Sequence, residues 1–171
     1  GLSQIRNGPH DRTLVIDTFD AFLRDDAICR DFTPKVVLRF GAPPTSKPLV
    51  QYLARFADCR HILVDGGAGW RDPSFLVSDV LHAEPTALCD GLTVRIGAGG
   101  APRSAWAATW LDTAAHARSA IETVFADDGA FFEGRVFSEL AALLPAGATL
   151  YAGNSMPVRD LDTFFPAGER T

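Results

Sequence analysis

Residues 35–40 read KVVLRF and form a short apolar run, rich in β-branched side chains, that ends at Gly41. Such a run is typical of a strand buried in a parallel sheet. The residues after it predict a helix, because Ser46 can cap a helix, Pro48 suits its first turn, and apolar residues then recur at helical spacing. A strand followed at once by a helix favours an α/β fold.

Two more strands are predicted further along the chain. Residues 61–65 (HILVD) form an apolar run closed by two glycines, and residues 75–82 contain a third strand. Residues 104–126 predict a long amphipathic helix, and the glycine-rich residues 91–103 are interpreted as a connection or lid. The apolar face of that helix comprises Trp106, Trp110, Ala114, Ala117, Ile121, Val124 and Phe125. This order of elements predicts a Rossmann-like, mainly parallel sheet flanked by helices.

The C-terminal part of the chain predicts three short elements. A helix is expected over residues 133–144, a strand over 149–152, and a short helix from Pro157 through Phe165. The inward residues of the first of these helices are Val136, Phe137, Leu140 and Leu144. Residues 127–132 between the long helix and these elements are a candidate domain boundary.

Composition and charge exclude several classes of function. The 171 residues suffice for one domain, and 47% hydrophobic with 22% charged residues is typical of a soluble globular protein. A net charge of −5, without a lysine or arginine block, gives no reason to expect nucleic acid or a membrane as partner. Three widely spaced cysteines predict reduced thiols, and no secretory leader is present. We expect a cytoplasmic protein and, since Gly1 replaces an initiator methionine, an excised fragment.

The first candidate site is residues 153–160, which read GNSMPVRD and follow the last predicted strand. Ligands of open α/β sheets bind where strands end, because glycine turns and helix N-termini present polar groups there. Ser155 can donate a hydrogen bond, and the planar guanidinium of Arg159, one helical turn later, can bind a substrate carboxylate. In the alternative interpretation, Asn154 and Ser155 only cap the next helix, while Arg159 pairs with an aspartate of that helix.

The second candidate site is the loop 40–49, which also joins a predicted strand to a helix. Lys47 stands at the start of that helix, where the positive end of the helix dipole disfavours a cation unless an anion is bound nearby. The position favours an anionic ligand, and a solvated lysine is the alternative.

Other motifs fail on their spacing. The glycine-rich strings 66–70 and 97–102 lack the third glycine of a dinucleotide-binding fingerprint. The four histidines show no metal-ligand spacing, and no serine lies in a Gly-x-Ser-x-Gly turn. Nucleotide binding, histidine-based metal binding and Ser-His-Asp catalysis are therefore disfavoured.

The two candidate segments together resemble a known family, the MenD-type 2-succinyl-5-enolpyruvyl-6-hydroxy-3-cyclohexene-1-carboxylate synthases. Residues 153–162 (GNSMPVRDLD) look like the signature that opens the third domain of these thiamine-diphosphate-dependent enzymes. Residues 39–49 resemble their central-domain loop, residues 2–6 their linker out of the first domain, and residues 17–24 the helix after it. The resemblance covers nearly the whole chain.

The resemblance implies a synthase of menaquinone biosynthesis. Such an enzyme decarboxylates 2-oxoglutarate with thiamine diphosphate and Mg²⁺ (or Mn²⁺), and adds the succinyl semialdehyde unit to isochorismate. It implies substrate-binding roles for Asn154, Ser155, Arg159 and Lys47, which would orient these acidic substrates while the cofactor supplies the carbon chemistry. Some relatives carry an arginine after that lysine, where this chain has Pro48.

The resemblance also implies parts that this chain lacks. The family uses a glutamate to activate the cofactor and a Gly-Asp-Gly motif to hold metal and diphosphate, and neither has a counterpart here. We therefore expect no catalytic, cofactor-binding or metal-binding residue in this chain. We also expect no turnover. It implies a linker over residues 1–12, the central Rossmann-like domain over 13–130, and a truncated pyrophosphate-binding domain over 131–171. Complete relatives are expected to form homodimers or homotetramers.

Two alternatives stay open at this point. The chain could be a regulatory metabolite-binding module, with arginines such as Arg39, Arg55 or Arg71 as ligands. It could also be a free-standing Rossmann-like nucleotide-binding domain, which the failed glycine fingerprints disfavour.

Overall fold

The α/β fold that the sequence predicts is confirmed. A computed structural model describes residues 5–67, 69, 71–97, 104–127 and 132–168. Within them the strands are β1 (Val36–Phe40), β2 (Arg60–Val64) and β3 (Asp79–Leu81). They form a parallel sheet in the order β1-β2-β3, with Leu38 beside Ile62 and Leu63 beside Val80. All three strands fall where the apolar runs predict them.

Helices flank this sheet. They are α1 (Phe19–Phe22), α2 (Asp26–Asp31), α3 (Lys47–Arg55), α4 (Pro85–Ile96), α5 (Ala105–Asp127), α6 (Arg135–Leu143) and α7 (Met156–Phe164). Helix α3 begins as predicted, because Ser46 Oγ accepts a hydrogen bond from the Leu49 amide at 3.2 Å. The predicted helices corresponding to α5, α6 and α7 are also present. Helix α2, which Asp25 caps through the amides of Ala27 and Ile28, was not predicted.

Trp110 of α5 lies at the centre of the main core. Its ring stacks on Phe32 at a centroid distance of 4.3 Å and meets Phe22 and Tyr52 edge-on at 5.6 and 5.8 Å. The buried members of this core are Phe19, Phe22, Leu23, Cys29, Phe32 and Tyr52. Aromatic pairs in these geometries add to the stabilisation from buried area. The core therefore joins α1, α2, α3 and α5, and Trp110 lies on the packed face of the long helix, as its spacing predicts.

A second apolar cluster joins α6 and α7. Its buried members are Phe137, Ala141 and Phe165, with Leu140, Leu144, Leu150, Ala152, Leu161 and Phe164 packed against them. Gly134 allows this packing, because a Cβ there would lie 2.3 Å from the ring of Phe164. The close approach of backbone and ring therefore requires glycine at this position.

Two predictions about secondary structure are wrong. Residues 91–96 are not a connection, because α4 runs through them to Ile96. This helix is capped by the Glu84 carboxylate and has no buried residue. Its sequence therefore lacks the apolar periodicity that would predict a helix. Residues 149–152 are not a strand, because among the described residues they pair with no neighbour. Leu150 and Ala152 pack instead on the α6–α7 cluster.

Several apolar residues are more exposed than the sequence patterns indicate. On β1, Val36, Leu38 and Phe40 are each 41–53% exposed, so this strand is not buried as predicted. On the helices, Val136 is 40% exposed although it was expected inside, and Val124 is 58% exposed although it lies on the predicted apolar face. The apolar side chains of β1 therefore stay partly exposed, whereas Val64 beside Phe40 is fully buried.

The N-terminal segment contacts the C-terminal one. Asn7 forms a parallel β-bridge with Gly168, and the Gly168 amide donates to the Arg6 carbonyl at 3.1 Å. The division into residues 1–12, 13–130 and 131–171 stays a prediction, and most of its second boundary lies outside the described residues. None of the described helices combines the length and apolar character that crossing a membrane requires.

Loss of the Tyr52 hydroxyl should destabilise the main core. It donates to the Phe32 carbonyl at 2.5 Å inside the core, so Tyr52→Phe leaves a buried acceptor unsatisfied. We expect the free energy of unfolding, measured by urea denaturation, to fall by about 1–2 kcal/mol. Tyr151→Phe is the matched control, because Tyr151 is 91% exposed. Equal effects of the two substitutions would contradict the assignment.

Candidate functional site

Ser155 occupies the position before the first turn of α7 in a conformation that serine rarely adopts. Its backbone has φ 75° and ψ −126°, which matches the first central residue of a type II′ turn and favours glycine. Its side chain makes no capping hydrogen bond, so the interpretation of Ser155 as a helix cap is not supported. Asn154 and Ser155 are both exposed. The turn therefore presents an amide and a hydroxyl to solvent.

Arg159 projects from the exposed side of α7. Its Nη1 atom lies 3.8 Å from the sulfur of Met156, one turn earlier. Among the described residues it forms no ion pair with Asp160 or Asp162, the pairing that was the alternative interpretation. Its guanidinium is therefore available to an incoming carboxylate.

The aspartates beside Arg159 face the interior. Burial raises the pKa of Asp160, the nearby Glu133 carboxylate raises it further, and Arg159 opposes the shift. Burial also raises the pKa of Asp162, while Arg6 opposes that shift. Helix α7 thus holds its carboxyl groups on the packed side, and its arginine lies on the open side.

The other end of α7 is clamped by Arg6. This side chain is 5% exposed, and its Nη1 donates to the Asp162 carbonyl at 2.8 Å. Its Nη2 lies 3.7 Å from Asp162 Oδ1. Burial lowers the pKa of Arg6, and the Asp162 carboxylate opposes this shift. The predicted linker contributes this contact, which the sequence pattern did not indicate.

Lys47 is the first residue of α3 and is exposed. The structure links its helix to α7 through α1. Asp20 of α1 accepts a hydrogen bond from Ser46 Oγ at 2.6 Å, and Thr163 Oγ1 of α7 lies 3.4 Å from the other oxygen of the same carboxylate. Sequence reasoning missed Asp20, although a lone carboxylate inside an apolar helix was a usable signal.

The arginines of the regulatory alternative are engaged within the chain. Arg39 pairs with Asp72 at 3.4 Å, Arg71 pairs with Asp65 at 3.0 Å, and Arg55 pairs with Asp26. The cavity beside Arg39 has a volume of only about 30 Å³, enough for one water molecule. Nothing in the described chain therefore favours a metabolite pocket at these residues.

The glycine-rich loop after β2 is organised by its own side chains. Asp65 Oδ1 accepts a hydrogen bond from the Gly67 amide at 2.8 Å, so the carboxylate occupies the donor that a phosphate would need. Ala68 and Trp70 of this loop lie outside the described residues. Of the second string, 97–102, the structure describes only Gly97.

Comparison with known proteins finds relatives of this chain, although no family model matches it. The chain is 47% identical over 169 residues to 2-succinyl-5-enolpyruvyl-6-hydroxy-3-cyclohexene-1-carboxylate synthase of Geobacillus thermodenitrificans. It is 46% identical to the synthase of the same name from Geobacillus kaustophilus and 43% identical to that of Chloroflexus aurantiacus. Each match covers 99% of this chain. The predicted resemblance to MenD-type synthases is confirmed.

The match covers only part of these synthases. The chain spans 28–29% of the length of the three relatives, so most of each relative has no counterpart in these 171 residues. Among the described residues, no three His, Cys, Asp or Glu side chains are grouped so that they could hold a metal ion.

Replacing Ser155 by glycine should stabilise the chain. Glycine adopts φ 75° without steric cost, and strain of this kind is worth about 1–3 kcal/mol. After allowing for the greater freedom of glycine in the unfolded state, we expect Ser155→Gly to raise the free energy of unfolding by about 1 kcal/mol. Ser155→Ala is the control, since it removes the hydroxyl and keeps the Cβ atom. Destabilisation by Ser155→Gly would contradict the strained conformation.

Proposed function

We propose that this chain is the part of a MenD-type synthase that binds substrate carboxylates beside a cofactor held elsewhere in the same enzyme. The observation that carries the proposal is the guanidinium of Arg159, which forms no ion pair with any described residue and is exposed one turn after the Ser155 hydroxyl, on a helix whose opposite side is packed. The sequence similarity over nearly the whole chain supplies the reaction class.

The proposed substrates are 2-oxoglutarate and isochorismate. Both carry two carboxylates at neutral pH, so a site for them needs cations and hydrogen-bond donors. Arg159 would bind one carboxylate with two parallel N–H groups, while Ser155 and Asn154 would donate single hydrogen bonds. Lys47 would add a point charge from the start of α3. These residues would orient the substrates, and none of them is proposed to form or break a bond.

Thiamine diphosphate, when bound, supplies the carbon chemistry of decarboxylation and addition. We propose that it and Mg²⁺ (or Mn²⁺) are held by regions of the synthase outside this chain. Assembly into a homodimer or homotetramer is part of the same proposal. Pro48 leaves this chain without the second cation that some relatives carry. Arg55 is assigned no replacement role, because it pairs with Asp26.

Truncation of Arg159 in the full-length synthase should weaken substrate use. We expect Arg159→Ala to lower kcat/KM for 2-oxoglutarate or isochorismate about 10–100-fold, since one charge-assisted hydrogen-bond pair is lost. Lys47→Ala and Ser155→Ala should each cost about tenfold or less. Arg159→Lys should recover only part of the loss, because lysine cannot bind both carboxylate oxygens in parallel.

Arg95→Ala is the matched control for this series. Arg95 is an exposed arginine in the last turn of α4, a helix without buried residues. Its removal should leave kcat/KM unchanged. If Arg159→Ala behaves like Arg95→Ala with both substrates, the proposed role of α7 is wrong.

Calorimetry on the isolated chain should separate this proposal from its alternatives. Titration with thiamine diphosphate and Mg²⁺ should give no saturable heat with the chain, and saturable heat with the full-length synthase. Saturable binding of the cofactor by the chain alone would contradict its proposed location. Saturable binding of an adenine nucleotide or of a pathway acid would favour the nucleotide-binding or the regulatory alternative.

A further inference from the structure

Asp20 is a buried carboxylate whose partners belong to three segments of the chain. Its side chain is 6% exposed. Oδ1 accepts from Ser46 Oγ at 2.6 Å, and Oδ2 lies 2.5 Å from Arg24 Nη2 and 3.4 Å from Thr163 Oγ1. A charge is costly to bury unless its hydrogen-bond partners are held in place. The positions of the carboxylate and of its three hydrogen-bond partners therefore depend on one another.

The contact with Ser46 fixes the start of α3. Ser46 Oγ uses its proton for Asp20 and a lone pair for the Leu49 amide, so the hydroxyl is both a cap and a tether. Lys47 follows directly in the chain. The direction in which the first turn of α3 leaves the core is therefore set by α1.

The contact with Thr163 concerns α7. Thr163 is buried one turn after Arg159, and its Oγ1 lies 3.0 Å from the Arg159 carbonyl. Its single proton can serve either this carbonyl or the Asp20 carboxylate at 3.4 Å. The bond to Asp20 ties the last turn of α7 to α1, whereas the bond to the Arg159 carbonyl stays within α7.

We propose that Asp20 is a positioning residue for substrate binding. It holds the first turn of α3 and the Arg159 turn of α7 in one fixed relation, so that Lys47 and Arg159 bind the same acidic substrate together. This inference rests on the proposed function, and Asp20 itself touches no substrate.

Arg24 provides the matched control. Like Ser46 and Thr163, it contacts the Asp20 carboxylate. Its side chain, however, is 64% exposed, and the residue belongs to neither α3 nor α7. Arg24→Ala therefore weakens the compensation of the buried charge and leaves both tethers in place. Any loss of stability that Asp20 variants cause is reproduced in part by this substitution, without the loss of positioning.

The test is a double-mutant cycle in the full-length synthase loaded with thiamine diphosphate and Mg²⁺. We expect Asp20→Ala to lower kcat/KM for 2-oxoglutarate about tenfold or more in the otherwise unchanged enzyme. In a Lys47→Ala, Arg159→Ala background, the same substitution should lower it less than about twofold, because nothing remains to be positioned. Asp20→Asn, which keeps an oxygen for Ser46, should retain most of kcat/KM, and Arg24→Ala should retain it fully.

A merely structural role gives a different pattern. If Asp20→Ala lowers kcat/KM by the same factor in both backgrounds, or if Arg24→Ala lowers it equally, the inference is overturned while the proposed function stands. If Lys47→Ala and Arg159→Ala have no effect by themselves, the proposed function and the inference fail together. Should Asp20→Ala not yield folded enzyme, Ser46→Ala replaces it in the cycle, because it keeps the carboxylate and removes the hydroxyl that tethers and caps the start of α3.

Amide hydrogen exchange gives a readout that does not depend on activity. Asp20→Ala should speed exchange selectively at the first turn of α3 and in α7, while exchange in α5 stays unchanged. Arg24→Ala should not produce this selective change. Uniform acceleration throughout the protein with Asp20→Ala would contradict positioning.

Discussion

The packing of aromatic rings around Trp110 is the interaction on which the rest of this structure depends. One side chain of α5 contacts rings from α1, from the end of α2 and from α3, so four helices share one buried centre. Rings of this size bury more apolar surface than any aliphatic residue, and their edge-on contacts restrict the angles between helices. The sheet is small by comparison, and its first strand keeps three apolar side chains partly exposed.

Polar contacts then fix the relative positions of elements that the aromatic core brings together. Arg6 bonds to Asp162 in the last turn of α7, and Asp20 lies between the start of α3 and Thr163, the next residue of the same turn. Apolar packing is non-directional, whereas these hydrogen bonds require defined positions of their partners. The helix that presents Ser155 and Arg159 is therefore held at its last turn by two directional contacts. Rigid support of this kind is what a site for orienting substrates needs.

Sequence patterns predicted the elements that have a clear local signal. The three strands were found from short apolar runs, the start of α3 from its capping serine and its proline, and the long helix α5 from apolar residues at helical spacing. Helix α4 was not predicted, because it has no buried residue and its apolar residues do not recur at helical spacing. The prediction of a strand over residues 149–152 was wrong because a strand needs a neighbouring strand for its backbone hydrogen bonds. A local sequence pattern does not show whether such a neighbour is present.

The candidate site was predictable in identity and only partly in geometry. The motif around Ser155 and Arg159 pointed to carboxylate binding, and the structure leaves both side chains accessible. The strained backbone at Ser155 was not foreseeable, because its positive φ occurs at a residue type that gives no signal for that conformation. The role of Asp20 was hidden too. Its contacts span 26 residues to Ser46 and 143 residues to Thr163, distances over which no periodicity extends.

The bridge between Asn7 and Gly168 gives the segment an architectural property of its own. Entry and exit of the described chain lie side by side, so the intervening residues form a loop closed at its base. Each of the two segments supplies one half of the bridge, so a change that loosens residue 7 would also free the chain at residue 168.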